Sequence, residues 1–155
     1  MTCALTRPTG VMPPGDPRLS RTETRLVAAP AQSLAAAAEW PGRPAARSAC
    51  WAMHLRAGDV ARSMAVGALS DRSTLAPGAP PLLLLSGGEL TVTRRGRGIG
   101  GPNAEFALTL ALALDGAAGI HALACDTDGV DGAAEVAGAM IGPDTLSRAQ
   151  AVGLS

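Results

Sequence analysis

The chain has 155 residues with 13 basic and 13 acidic side chains, hence zero formal charge, and 47% of it is apolar, which is one domain's worth of polypeptide or part of a larger protein. Every basic residue is Arg, there is no Lys and no Tyr, and one Phe (Phe106) and two Trp (Trp40, Trp51) stand against 32 Ala, 19 Gly and 12 Pro, so the core must be built from Ala, Leu and Val. Without Lys the chain completes neither a P-loop nor a Schiff base, and balanced charge with few aromatic faces argues against nucleic-acid binding.

Seven of the twelve prolines fall within residues 1–44, and residues 1–23 follow neither a helical nor a strand period, so this stretch reads as loop or disorder. Its first residues lack the apolar run of a signal peptide, and no apolar stretch anywhere approaches the length of a membrane span. Residues 24–81 read as a partly helical linking segment. Within it, 31–39 has strong helix propensity and is stopped by Trp40-Pro41-Gly42, 42–56 is interrupted by Arg and Pro, and 59–69 opens on Asp59 as a helix that ends in the turn-rich DRSTLAPGAPP. Charge divides near this point, net +4 over residues 1–82 and net −4 over 83–155.

Leu82 to Leu85 is a continuous apolar run, the pattern of a strand buried on both faces, and 90–93 alternates like a second strand. After a Gly-rich loop, 103–114 is apolar all round and reads as a buried helix, with Asn103 as its cap and Glu105 near the positive end of its dipole. Residues 120–125 form a further apolar strand that runs into the acidic loop 126–132. Strand, helix, strand and polar loop give an α/β fold: a small sheet with packed helices. Cys3, Cys50 and Cys125 are scattered without a C-x-x-C pair, which suits a reducing, cytoplasmic setting and not a structural zinc. His121 reads as a core histidine and Cys125 as a small buried hydrophobe.

Polar chemistry concentrates in three loops. Ser86-Gly87-Gly88-Glu89 and Gly96-Arg97-Gly98-Ile99-Gly100-Gly101-Pro102-Asn103 combine bare backbone with polar groups, and amides at a helix N-terminus make a natural anion site, here preceded by Arg94, Arg95 and Arg97. Either loop can also be an ordinary turn. Gly96, Gly98 and Gly101 fit G-x-G-x-x-G, with Asp126 following 25 residues after Gly101, so a dinucleotide site is one reading. The acidic loop places Asp126, Asp128 and Asp131 within six positions. Its spacing fails as an EF-hand and suits Mg²⁺ held by one or two carboxylates plus phosphate, or else a solvated acidic turn.

Taken in order, SGGELTVT (86–93), GIGGPNAEFALTLALAL (98–114), HALACDTDGVDG (121–132) and AGAMIGPDTLSRAQAVGL (137–154) closely resemble the MOFRL domain, the C-terminal domain of the glycerate 2-kinases, some of whose members are labelled hydroxypyruvate reductase. The resemblance implies a MOFRL-like α/β domain over 82–155, shortened at its C-terminus, within a two-domain fold. It also implies ATP-dependent transfer of a phosphoryl group to the 2-hydroxyl of glycerate with ATP and Mg²⁺. Carried across by motif, Glu89, Asn103, Asp126 and Asp128 take catalytic positions, Gly87, Gly88, Gly98, Gly100 and Gly101 line the cofactor, and Asp126, Asp128 and Asp131 hold the metal. Leu90, Ile99 and Pro102 depart from the motif, and the family has Arg at the last two places. The expectation is a copy completed by an N-terminal domain, a separate chain or self-association. An NAD(P)-linked hydroxypyruvate reductase and a non-catalytic remnant are the alternatives.

Overall fold

The computed structural model describes residues 15–21, 23, 25, 29–39, 45–50, 55–93 and 96–154. A single 3₁₀ turn at Pro17–Leu19, capped by Asp16, is followed by helix α1 (Pro30–Ala38), strands β1 (Ala45–Cys50) and β2 (Leu55–Arg56), and helix α2 (Ala57–Thr74). Strands β3 (Leu82–Gly87) and β4 (Leu90–Thr91), helix α3 (Pro102–Leu114), strands β5 (Ala122–Cys125) and β6 (Gly138–Ile141), and helix α4 (Thr145–Ala151) complete the chain. The α/β reading holds, and the sheets are small: β1 pairs parallel with β3, β2 parallel with β4, and β5 antiparallel with β6.

The core is the seam between α2 and α3. On α2 the buried positions are Ala57, Gly58, Val60, Ala61 and Ala65, and on α3 they are Phe106, Ala107, Leu110, Ala111 and Leu114, each set falling on one face at helical spacing. Small residues on both sides let the helix axes approach, while Phe106, Leu110 and Leu114 fill the space between and contribute about 1.5–3 kcal/mol each by burial. Ile141 of β6 closes the end of this cluster, and Ala122, Ala124 and Ala139 lay the inner face of the β5–β6 ribbon against it.

Several expectations are corrected. Helix α3 is apolar all round yet buried on one face only, because α2 and the β5–β6 ribbon cover that face and leave Leu108 and Leu112 at 58% and 59% exposure. Strand β3 is half-covered, since among the described residues it pairs with β1 alone, Leu82, Leu84 and Leu85 are only partly buried and Leu83 is exposed. Cys125 is exposed, as is His121: β5 turns its alanines inward and Leu123 and Cys125 outward. The Arg- and Pro-interrupted stretch 42–56 contains β1 and β2, helix α2 is longer than 59–69 at both ends, and β4 stops at Thr91. Trp40-Pro41-Gly42, read as the stop of α1, and most of residues 1–23 lie outside the described residues. None of the described helices is long and apolar enough to cross a membrane.

Candidate functional site

Helix α3 begins at Pro102, whose fixed φ suits the first helical position and whose missing N–H is no loss there. Gly101 occupies the cap position and has no side chain with which to accept from the first turn. That deficit is met from 28 residues away. The carboxylate of Asp131 accepts from the backbone N–H of Asn103 through Oδ1 (2.9 Å) and from that of Ala104 through Oδ2 (2.8 Å). Asp131 has 0% exposure, so its charge is compensated by these amides and by the positive end of the helix dipole. Asn103 is thus not the cap that its residue type suggested. It lies one residue inside the helix, where its side-chain amide donates to Asp126 Oδ2 (2.9 Å) and to Asp131 Oδ1 (3.2 Å).

The acidic loop is anchored at both ends by backbone hydrogen bonds, Asp126 N–H to Ala137 O (2.8 Å) and Asp131 N–H to Val136 O (2.7 Å). Between them Asp128 Oδ1 accepts from Val130 N–H (3.1 Å) and holds a local turn. The carboxylates of Asp126 and Asp128 are on the exposed part of the loop.

Two glycines have roles set by the close approach of these loops. A Cβ on Gly101 would collide with the backbone and carboxylate of Asp131, and one on Gly132 would stand 2.9 Å from Gly101 Cα at a φ of +64°, so both positions require glycine whatever binds nearby. Gly101 was expected to line a cofactor and Asp131 to hold a metal. The structure uses both to pack the acidic loop onto the start of α3. Among the described residues no three His, Cys, Asp or Glu side chains are grouped as a metal site, so the expected trio of aspartates is not assembled as one.

Gly98 and Gly100 are different. Both are exposed, neither has a positive φ, and nothing lies within 4 Å of where a Cβ would be, so the fold itself does not demand glycine there. Arg97 beside them is exposed, and Arg94 and Arg95 lie outside the described residues. In the loop after β3 a Cβ on Gly87 would meet Leu34 of α1 at 3.3 Å, Gly88 and Glu89 are exposed, and no hydrogen bond among the described residues joins this loop to Asn103 or to the aspartates.

Among the described residues the dinucleotide arrangement is not present. That fold needs the strands before and after the helix side by side in a parallel sheet and free amides at the helix N-terminus. Here β4 pairs with β2, β5 pairs antiparallel with β6, and the amides of Asn103 and Ala104 are already taken by Asp131. The same occupancy removes them as the anion site that the sequence suggested. The signal for Asp131 was present in the sequence: a helix opening Gly-Pro-Asn has no local cap for its second and third amides, so an acceptor had to come from elsewhere in the chain.

The architecture has the glycerate kinase fold among its neighbours. The crystal structure of Thermotoga maritima glycerate kinase superposes with a TM-score of 0.63 at 31% identity, over 81% of this chain and 29% of that one. That of a Pyrococcus horikoshii OT3 protein gives 0.65 at 28% identity, over 80% and 28%. Residues 82–155 match the MOFRL family. The chain is 45% identical over 141 residues to an Agrobacterium vitis protein provisionally named hydroxypyruvate reductase, covering 85% of this chain, so the likeness to that relative extends upstream of residue 82. It is 41% identical over 73 residues to the D-glycerate 2-kinase of Thermotoga maritima, covering 47% of this chain and 18% of that enzyme. The chain spans about a third of the length of the Agrobacterium vitis relatives that it matches.

Proposed function

We propose that this chain forms one wall of a glycerate 2-kinase-type site, in a protein that transfers a phosphoryl group from ATP to the 2-hydroxyl of glycerate. The observation that carries the reading is the Asn103 side chain, which stands where the Gly-rich loop enters α3 and donates to exposed Asp126 and buried Asp131 of the acidic loop. Phosphoryl transfer asks a protein mainly for positioning and charge neutralisation, and a loop of bare backbone together with exposed carboxylates suits a phosphate chain and its cation. The donor set fits Mg²⁺: Asp126 and Asp128 would hold it with phosphate oxygens and water completing the shell, and when bound it neutralises phosphate charge. Asp131 is left out of that set because its oxygens serve α3.

Glu89, Gly87 and Gly88 at the end of β3 enter this reading through their match to the family motif. Two departures weigh on catalysis by the chain itself. Ile99, at 79% exposure, and Pro102, at the first position of α3, stand where the family has Arg, and neither can pair with a carboxylate or a phosphoryl group.

The expected outcome in a coupled assay with glycerate, Mg²⁺ and ATP is no glycerate-dependent ADP release. Calorimetry is expected to show weak Mg²⁺-dependent ATP binding that is lost on Asp126→Asn. Turnover abolished by Asp126→Asn overturns the inactivity of the isolated chain. Saturable micromolar binding of NADH, lost on Gly98→Val, overturns the kinase reading in favour of a reductase.

A further inference from the structure

Asp131 is fully buried, and it is nevertheless linked to the exposed Asp126 through one side chain. We propose that Asp131 and Asn103 are positioning residues for Asp126: the buried carboxylate fixes the Asn103 amide, which in turn holds Asp126 Oδ2 and leaves Oδ1 as the oxygen presented to a cation.

The chemistry allows only this arrangement of the three groups. Two carboxylates accept and do not donate, so the atom of Asn103 between them must be the NH₂ nitrogen, which has two protons for two partners. Asp131 Oδ1 also accepts the backbone N–H of the same residue at 2.9 Å, so backbone and side chain of Asn103 are tied to one oxygen and the side chain has little freedom left. Asp126 by contrast is exposed and, among the described residues, receives one side-chain hydrogen bond, that from Asn103. An unheld aspartate on a loop would spread over several rotamers, and fixing it in advance lowers the cost of binding. Groups that orient a metal ligand from behind are worth about 10–100-fold in metal affinity. The inference rests on the proposed reading only for what Asp126 binds. The relay itself belongs to the protein's own residues.

The sequence makes the test clean. Asn103 is the only Asn and there are two Gln (Gln32 and Gln150), so the side-chain NH₂ region of an NMR spectrum of the ¹⁵N-labelled chain holds three pairs of signals. The Asn103 pair is expected to exchange with water about tenfold more slowly than that of Gln150, an exposed residue near the end of α4, and to shift on Asp126→Ala. Asp131→Asn keeps an oxygen acceptor for one of the two helix amides, and Asn103→Ala keeps both backbone bonds to Asp131, so both variants are expected to remain folded by circular dichroism. Each is then expected to weaken Mn²⁺ binding, followed by paramagnetic broadening of the loop 126–132 signals, by about tenfold. An Asn103 pair that exchanges like that of Gln150, or unchanged Mn²⁺ affinity in the folded variants, overturns the relay. A protected Asn103 pair that responds to both aspartates in a chain that binds no Mn²⁺ upholds the relay and overturns the cation reading instead.

Discussion

At the scale of single residues, the glycines separate into two kinds that the sequence could not distinguish. Gly101 and Gly132 are required because the acidic loop presses against the start of α3, and Gly98 and Gly100 face open space. Gly101→Ala is therefore expected to destabilise the fold by about 1–3 kcal/mol, since the backbone of Asp131 must retreat, whereas Gly98→Ala is expected to stay within about 0.5 kcal/mol of the parent. Urea denaturation of the two variants side by side decides this, and equal midpoints would remove the packing argument. Asp131→Ala is the harsher change. It strips the amides of Asn103 and Ala104 of their acceptor, at about 3 kcal/mol for the two together.

At the scale of elements, α3 shows why a uniformly apolar segment gives no orientation. FALTLALAL has leucine on every face, so periodicity identifies a helix without saying which side is covered. The structure chooses Phe106, Leu110 and Leu114 for the core and leaves Leu108 and Leu112 outside. Leu110→Ala is accordingly expected to cost about 3 kcal/mol and Leu112→Ala less than about 0.5 kcal/mol, a contrast that thermal melts of the folded chain would display at once. Strand β1 was illegible for the opposite reason. AARSAC has no run or alternation, and its strand character comes from pairing with Leu82–Gly87, a partner more than thirty residues away.

At the scale of the whole molecule, apolar surface remains open on two sides, at Leu108 and Leu112 of α3 and at Leu123 and Met140, which are register partners across the β5–β6 ribbon and 64% and 78% exposed. Three two-stranded sheets also leave strand edges unpaired among the described residues. The expected outcome is self-association: light scattering after size exclusion should give a mass above 15.4 kDa, with binding of a dye that reports apolar surface. A monodisperse monomer that ignores the dye and melts sharply would show that these faces are compatible with a stable isolated chain.

The sequence by itself determined the α/β character, the helices α1, α2 and α3, the strands β3 and β5, and the three loops in which glycine meets carboxylate, because these depend on local propensity, apolar periodicity and turn chemistry. It also carried the likeness to the MOFRL family, through motifs whose order and spacing survive over residues 86–154. Only the tertiary structure decided that Asp131 caps a helix, that Gly101 makes room for it, and that Asn103 ties Asp126 to both. Each of those roles is a hydrogen bond or a close approach between residues more than twenty positions apart, and local pattern shows at most that the helix start lacks a cap, not which residue supplies one. Their physical origin is the same throughout: a helix that opens on Gly-Pro must find its acceptor elsewhere, and the chain brings a buried carboxylate to it.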